Sequence, residues 1–88
     1  MPTISMFFGI IIRMYFSPGE HPPPHFHAYY NEYKAKVDIR TGEIIEDNLP
    51  GRQTKLLVAR SELHQEELMA DWQLVMSGEE PFKIQPLQ

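Results

Sequence analysis

Apolar residues alternate with other residues along the start of the chain, with one interruption. The alternating positions are Ile4, Met6 and Phe8 before the interruption, and Ile10, Ile12, Met14 and Phe16 after it. Alternate residues of a strand face the same side, so this pattern predicts two strands joined by a tight turn near Phe8–Gly9. The second strand is apolar on both faces except at Arg13, which predicts a central position in its sheet.

Two further segments, His25–Tyr30 and Lys34–Arg40, alternate in the same way around a predicted turn at Asn31-Glu32. The register places apolar pairs on one face: Phe26 with Val37, Ala28 with Ala35, and Tyr30 with Tyr33. It places polar pairs on the other face: His25 with Asp38, His27 with Lys36, and Tyr29 with Lys34. A slip by one residue would set apolar side chains against charged ones, so this register is strongly favoured.

Helical periodicity follows a second turn at Thr41-Gly42 and a short predicted strand over Glu43–Glu46. The helical stretch is expected to open after Asn48-Leu49-Pro50 and to run to about Met76. One apolar stripe comprises Leu56, Ala59 and Leu63, and another comprises His64, Leu68, Trp72 and Val75. At about 100° per residue the two stripes are out of phase, which predicts a break between Ser61 and Gln65. The acidic side chains are expected on a solvated helix face: Glu62, Glu66, Glu67 and Asp71.

These elements predict an α+β fold, with an antiparallel β-sheet of about five short strands followed by two C-terminal α-helices, or one kinked helix, packed on one face. The length of 88 residues predicts a single domain. Its parts are a sheet over residues 1–47, a helical part over 50–77, and an extended, partly loose tail over 78–88.

The amino-acid composition limits where the protein is expected to act and what it is expected to bind. The absence of cysteine excludes disulfides and thiolate–zinc sites and agrees with a reducing cytoplasm. The apolar N-terminal stretch is broken by Gly9 and Arg13 and is too short to cross a bilayer, so we expect a cytoplasmic protein without membrane association. Residues 1–40 contain four basic and three acidic residues, whereas residues 41–88 contain four basic and nine acidic residues. Any phosphate-binding surface is therefore expected on the first half.

The segment Gly19–Tyr30, GEHPPPHFHAYY, is the strongest candidate for function, because it carries three of the four histidines and three consecutive prolines. One interpretation is a metal site with His21, His25 and His27 as ligands for zinc, nickel, copper or iron. Asp38, opposite His25, would be a further ligand or the acceptor that fixes its tautomer. The three histidines converge only if the stiff proline segment folds His21 back over the strand.

A second interpretation is acid–base chemistry on RNA, since histidine transfers protons near neutral pH. The catalytic candidates are His25, His27, Tyr29, Lys36 and Asp38, and the same predicted face also carries Lys34 and Arg40. The basic residues are equally consistent with the ordinary solvated side of a sheet. A third interpretation is a docking surface, because a rigid proline run presents its neighbours at low entropic cost. A second copy of the chain, forming a homo-oligomer, is also compatible with the pattern.

Several runs along the chain carry a family resemblance. They are the start P-T-I-S, the strand FGIIIRMYF, the run G-E-H-x-P-P-H-F-H-A-Y, the later N-L-P, and E-L-H-x-E-E-L-x-x-x-W. By these residues the chain resembles the small bacterial family numbered 4160 among domains of unknown function. The distinctive motif H-x-P-P-H-x-H is matched by His21, Pro23, Pro24, His25 and His27.

The resemblance implies a partner and no established reaction. Such proteins are typically encoded beside a small protein of the family numbered 2442, an arrangement often interpreted as a toxin–antitoxin pair. The expected function is therefore a toxin-like component that acts through the histidine-rich strand face in complex with that partner. The alternatives are a histidine-ligated metal-binding protein or metallohydrolase, and a non-catalytic interaction module. The resemblance assigns no residue a catalytic role and leaves open whether the protein is an enzyme.

Overall fold

The computed structural model describes residues 3–15 and 23–84. Within them the chain forms a five-stranded sheet followed by two helices, which confirms the predicted α+β fold. The elements are β1 Thr3–Phe7, β2 Ile10–Arg13, β3 His25–Tyr30, β4 Tyr33–Asp38, β5 Ile44–Asn48, α1 Gly51–Leu63 and α2 Gln65–Met76. The strands lie side by side in chain order, each antiparallel to the next. No helix in the described part of the chain is long and apolar enough to span a membrane.

The β3–β4 hairpin has the predicted register at every pair, from His25 opposite Asp38 to Tyr30 opposite Tyr33. Its turn places Asn31 at a φ of 51°, the left-handed conformation that two-residue hairpin turns require. Four of its apolar side chains are buried in the core: Phe26, Ala28, Ala35 and Val37. β2 lies between β1 and β3, so its predicted interior position is also confirmed.

Burial along β1 differs from the predicted alternation. Ile4 and Phe7 are buried, whereas Met6 and Phe8 are more than half exposed. The pairing with β2 shifts between Thr3 and Ser5, and an irregularity of this kind changes which residues face the core. The turn itself lies where it was predicted, at Phe8-Gly9. The last strand also differs slightly, because β5 begins and ends later than the predicted Glu43–Glu46.

The predicted break between the helices is confirmed at His64, whose φ of −110° and ψ of 24° interrupt the helical backbone. Glu66 and Glu67 lie in the first turn of α2 as expected, where negative charge is favourable. The predicted apolar stripe of α2 is buried at Leu68, Trp72 and Val75.

The predicted stripe of α1 is wrong. The helix buries Leu57, Arg60 and Ser61, while Leu63 is 60% exposed. Two polar residues occupy the buried face because their polar atoms find local contacts. The Ser61 hydroxyl donates to the Leu57 carbonyl at 2.9 Å, and the Arg60 guanidinium lies 4.5 Å from the centre of the Phe7 ring.

The chain after α2 is anchored at least as far as Ile84. The Phe82 amide donates to Asp71 Oδ1 at 2.8 Å, and the Ile84 amide donates to the Ile4 carbonyl at 2.7 Å. The Ser5 hydroxyl donates in turn to the Ile84 carbonyl at 2.9 Å. Residues 82–84 are therefore held in place, and residues 85–88 of the tail lie outside the described residues. Asp71, expected on a solvated face, is only 1% exposed.

Candidate functional site

An open cleft of about 280 Å³ lies on the polar face of the β3–β4 hairpin. Its lining residues are Tyr15, His27, Tyr29, Lys34, Ala35, Lys36, Glu46 and Asp47. The alternation of the two strands explains the floor, because His27 and Lys36 point away from the core that Phe26 and Val37 fill. The cleft therefore follows from the hairpin register.

His25 lies behind the cleft and is 2% exposed. Its Nδ1 is 2.8 Å from the Pro23 carbonyl oxygen. A carbonyl oxygen only accepts, so Nδ1 carries the hydrogen and Nε2 is the basic nitrogen of the neutral ring. The ring centre lies 5.0 Å from that of Trp72 on α2 and 5.2 Å from that of His27. His25 thus connects the helical layer to the cleft histidine.

Two tyrosines surround the cleft histidine. The Tyr15 ring meets the His27 ring edge-to-face, with 4.6 Å between centres. The hydroxyls of Tyr15 and Tyr29 are hydrogen-bonded to each other. The Arg13 guanidinium lies 5.3 Å from the centre of the Tyr29 ring. A histidine ring and a pair of hydrogen-bonded phenols therefore share one wall, where both are able to exchange protons with a bound molecule.

The part of the cleft formed by β4 and β5 carries side chains of both charge signs. Lys36 Nζ donates to Glu46 Oε2 at 3.2 Å, while Lys34 also lines the cleft. Asp47 is paired with Ala35, a core-facing position, yet it lines the cleft on the polar face. Its φ of 61° is left-handed, so the backbone departs from the regular strand conformation at this residue. The lysines of β4 thus meet a carboxylate rim on β5.

Asp38 is the last residue of β4, and its side chain contacts the turn that follows the strand. Its Oδ1 accepts the Arg40 amide at 2.8 Å, and its Oδ2 accepts Arg40 Nη2 at 3.1 Å. The hydrogen bond from the Arg40 side chain holds the pKa of Asp38 below its usual value, and the carboxylate raises the pKa of Arg40. Asp38 is opposite His25 in the register, as predicted, but its carboxylate is directed into this turn.

The structure brings together part of the predicted catalytic set. His27, Tyr29 and Lys36 line one cleft, whereas His25 lies behind it and Asp38 lies outside it. The predicted metal set of three histidines includes His21, which lies outside the described residues. Within residues 3–15 and 23–84, no group of three histidine or carboxylate side chains is arranged to hold a metal ion.

Sequence reasoning missed three residues of the cleft: Tyr15, Glu46 and Asp47. A signal existed for Tyr15, because it lies two residues beyond Arg13, which pairs with His27 across the sheet. Extending the strand alternation past Arg13 places Tyr15 on the same face. No sequence pattern indicates the left-handed conformation of Asp47.

Fold and site together define a small α+β domain with a histidine–tyrosine–lysine cleft on the open face of its sheet. The chain belongs to a family described as a domain of unknown function, DUF4160, whose model matches residues 9–73. No curated protein and no solved structure matches this chain. All the residues that line the cleft lie within the matched range.

Proposed function

We propose that this protein is the toxin-like component of a two-gene toxin–antitoxin-type system, acts in the cytoplasm, and cleaves RNA in the cleft. One observation carries the proposal: His27, the Tyr15–Tyr29 hydroxyl pair and two lysines line the same open depression. These are the groups that phosphodiester transfer needs, namely a proton acceptor, a proton donor and positive charge.

The reaction that fits these groups is attack within the RNA strand. His27 removes the proton from a ribose 2′-hydroxyl, and the 2′-oxygen forms a bond to the adjacent phosphorus. The bond from phosphorus to the 5′-oxygen breaks, and a hydroxyl of the Tyr15–Tyr29 pair gives that oxygen its proton. The products are a 2′,3′-cyclic phosphate and a 5′-hydroxyl. Lys34 and Lys36 stabilise the charge that develops on the phosphoryl oxygens.

The size and charge of the cleft favour a short contact with single-stranded RNA. Its 280 Å³ is near the lower end of ligand pockets, which begin at about 300 Å³. The net charge of −4 disfavours a long phosphate track. Lys36 pairs with Glu46, whose side chain is 63% exposed, so a bound phosphate would compete with a solvated carboxylate for this lysine. Single-stranded segments also present bases and 2′-hydroxyls that duplexes hide.

The direct test is cleavage of a labelled single-stranded RNA by the purified chain, with the product ends mapped. We expect His27→Asn to lose about 100-fold or more of the rate, the usual contribution of a positioned acid or base. Lys36→Met should lose about 10-fold, through weaker stabilisation of charge. The matched controls are His64→Asn at the helix junction and Lys55→Met on α1, both outside the cleft. Equal rates for all five proteins, or none for wild type, contradict the proposal.

Growth on induction tests the toxin-like role separately from the chemistry. We expect the wild-type chain to inhibit growth, His27→Asn not to, and co-expression of a partner of the family numbered 2442 to restore growth. An interaction module without chemistry predicts a different result. His27→Asn would then change only the affinity for the partner, and no RNA would be cleaved.

A histidine-ligated metal is the second candidate, favoured by the hydrogen bond that fixes His25. Donation of Nδ1–H to a backbone carbonyl is the arrangement that orients a histidine to bind metal through Nε2. Elemental analysis of untagged protein, loaded with zinc, nickel or iron, tests this. A stoichiometric metal that is lost in His25→Ala/His27→Ala and kept in His64→Ala would establish a metal site. No bound metal in wild type would remove it.

A further inference from the structure

The two edges of the sheet differ in what covers them. At the β1 edge, the Ile84 amide bonds to the Ile4 carbonyl and the Ser5 hydroxyl bonds to the Ile84 carbonyl. At the other edge, β5 pairs with β4, and no further strand follows within the described ranges. Four of the five residues of β5 are exposed. An open strand edge presents backbone donors and acceptors to an additional strand.

The side chains of β5 determine which strand fits. Glu43 precedes the strand, and Glu46 and Asp47 lie within it, so three carboxylates occur over six residues without a basic residue. Ile45 is 42% exposed and lies where the pairing with β4 is irregular, between the partners Ile44 and Glu46. The edge therefore combines an exposed apolar side chain with three carboxylates, one of which, Glu46, also accepts a hydrogen bond from Lys36 on β4.

The same charge disfavours a second copy of this chain. Two β5 strands paired with each other would bring four carboxylates, Glu46 and Asp47 of each copy, to strand spacing, and like charges across a strand pair are destabilising. Acidic side chains and bulges are also the features by which edge strands avoid indiscriminate pairing. Charge complementarity instead selects an extended segment with lysine or arginine at alternate positions.

We propose that β5 pairs with a basic strand of a partner protein, which extends the sheet and covers the rim of the cleft. Glu46 and Asp47 belong to both the edge and the cleft, so alternate basic side chains of the added strand would meet these carboxylates. Backbone pairing gives affinity in this mode, and the side-chain contacts give selectivity. The pairing stands without the RNA activity; inhibition of cleavage by the bound strand rests on the proposed function.

The probe is a short synthetic peptide that alternates valine and lysine, added to the full chain and followed by NMR. We expect amide shifts and slowed hydrogen exchange along Ile44–Asn48, and none along Thr3–Phe7. The first control peptide replaces each lysine by glutamate and should not bind. The second is N-methylated at alternate residues on its pairing edge, so it keeps its charge but cannot form the backbone bonds, and should bind about tenfold more weakly or worse.

Protein variants supply the matched comparison. Glu46→Gln/Asp47→Asn should lower the affinity of the protein for the lysine peptide by about tenfold. Glu62→Gln/Glu66→Gln, on the helices, should leave that affinity unchanged. Equal binding of the methylated peptide, protection of another surface, no binding, or self-association through β5 would each overturn the inference. RNA cleavage is measured separately. Cleavage without peptide binding removes only this inference, and peptide binding without cleavage removes only the proposed function.

Discussion

The two faces of the β3–β4 hairpin have opposite roles, although they share the same backbone. Phe26 and Val37 are buried in the core, with at most 1% of their surface exposed, while Tyr29 and Lys36 line an open cleft on the other face. The core face is held by packing, so its substitutions are expected to cost stability. The cleft face is held by polar and ring contacts, so substitutions there are expected to reduce the RNA cleavage proposed for the cleft. Period-two alternation thus separates the core from the candidate site within twelve strand residues.

One hairpin residue does not follow this separation, because His25 alternates with the cleft face but is buried against Trp72. Outside the hairpin, Asp71 on α2 is a carboxylate enclosed beside the core. Burial raises the pKa of Asp71 to about 6, with the nearby Glu67 adding to the rise and the Phe82 amide opposing it. Asp38 is also buried but has Arg40 beside it, and its pKa is lowered instead. The Arg40 guanidinium beside Asp38 accounts for the opposite directions of the two pKa shifts.

Phe26→Ala tests the core face and has the largest expected effect. Removing a buried aromatic side chain should lower the free energy of unfolding by roughly 3–5 kcal/mol. Lys36→Met, on the partner strand but the opposite face, breaks one solvated ion pair and should cost no more than about 1 kcal/mol. Urea denaturation of the two variants measures both. Similar losses would show that the two faces do not divide stability as described.

Asp71→Asn should stabilise the protein at neutral pH by roughly 1–3 kcal/mol, because a carboxylate whose pKa rises by about two units is costly to ionise in the folded state. The amide oxygen still accepts the Phe82 amide. The folded pKa lies above the unfolded one, so the stability of wild type should fall as pH rises from about 4 to 6. The difference between the variant and wild type should therefore vanish near pH 4.

Glu67→Gln is the control for this measurement, since Glu67 is more than half exposed and lies on the same helix. It should change stability less than Asp71→Asn and lower the pKa of Asp71 slightly. Thermal unfolding from pH 4 to 7 checks all three proteins. A gain for Asp71→Asn that is independent of pH would contradict the assignment of the cost to ionisation.

Tyr15→Phe tests the role of the hydrogen-bonded tyrosine pair in the cleft. It removes the hydrogen bond to Tyr29 but keeps the ring that meets His27. We expect a loss of roughly 0.5–1.5 kcal/mol, the usual net value of one hydrogen bond. RNA cleavage should fall by a larger factor than this loss explains if the hydroxyl pair supplies the proton. Unchanged cleavage with a small loss of stability would restrict the pair to a structural role.

Arg40→Met has the smallest expected effect on stability and tests the turn after β4. Without the guanidinium, the pKa of Asp38 should rise towards its usual value, as an NMR titration of its carboxyl carbon would show. Wild-type Asp38 has a folded pKa below its unfolded value, so its contribution is present above the unfolded pKa and is lost as pH falls. The variant should lose less stability on acidification. An unchanged Asp38 titration would contradict the cause given for its pKa.

Local periodicity and the avoidance of buried charge were sufficient to predict several features of the fold. The β3–β4 register followed from alternation, because a slip by one residue would bury charges and expose the core side chains. The helix break at His64 was predicted from two stripes out of phase, although the stripe assigned to α1 was wrong. Half of the site was predictable for the same reason, since four of its eight lining residues share one face of that hairpin: His27, Tyr29, Lys34 and Lys36.

Which surfaces those elements meet depends on contacts between distant parts of the chain. The buried face of α1 depends on the contacts of Arg60 and Ser61, and the burial of Asp71 depends on the segment that returns over α2. The acidic rim of the cleft also depends on β5, where Asp47 has a left-handed backbone with a φ of 61°. Periodicity specifies how residues are grouped along one element. It does not specify the neighbouring element or a single unusual backbone angle, because both are set by packing between distant parts of the chain.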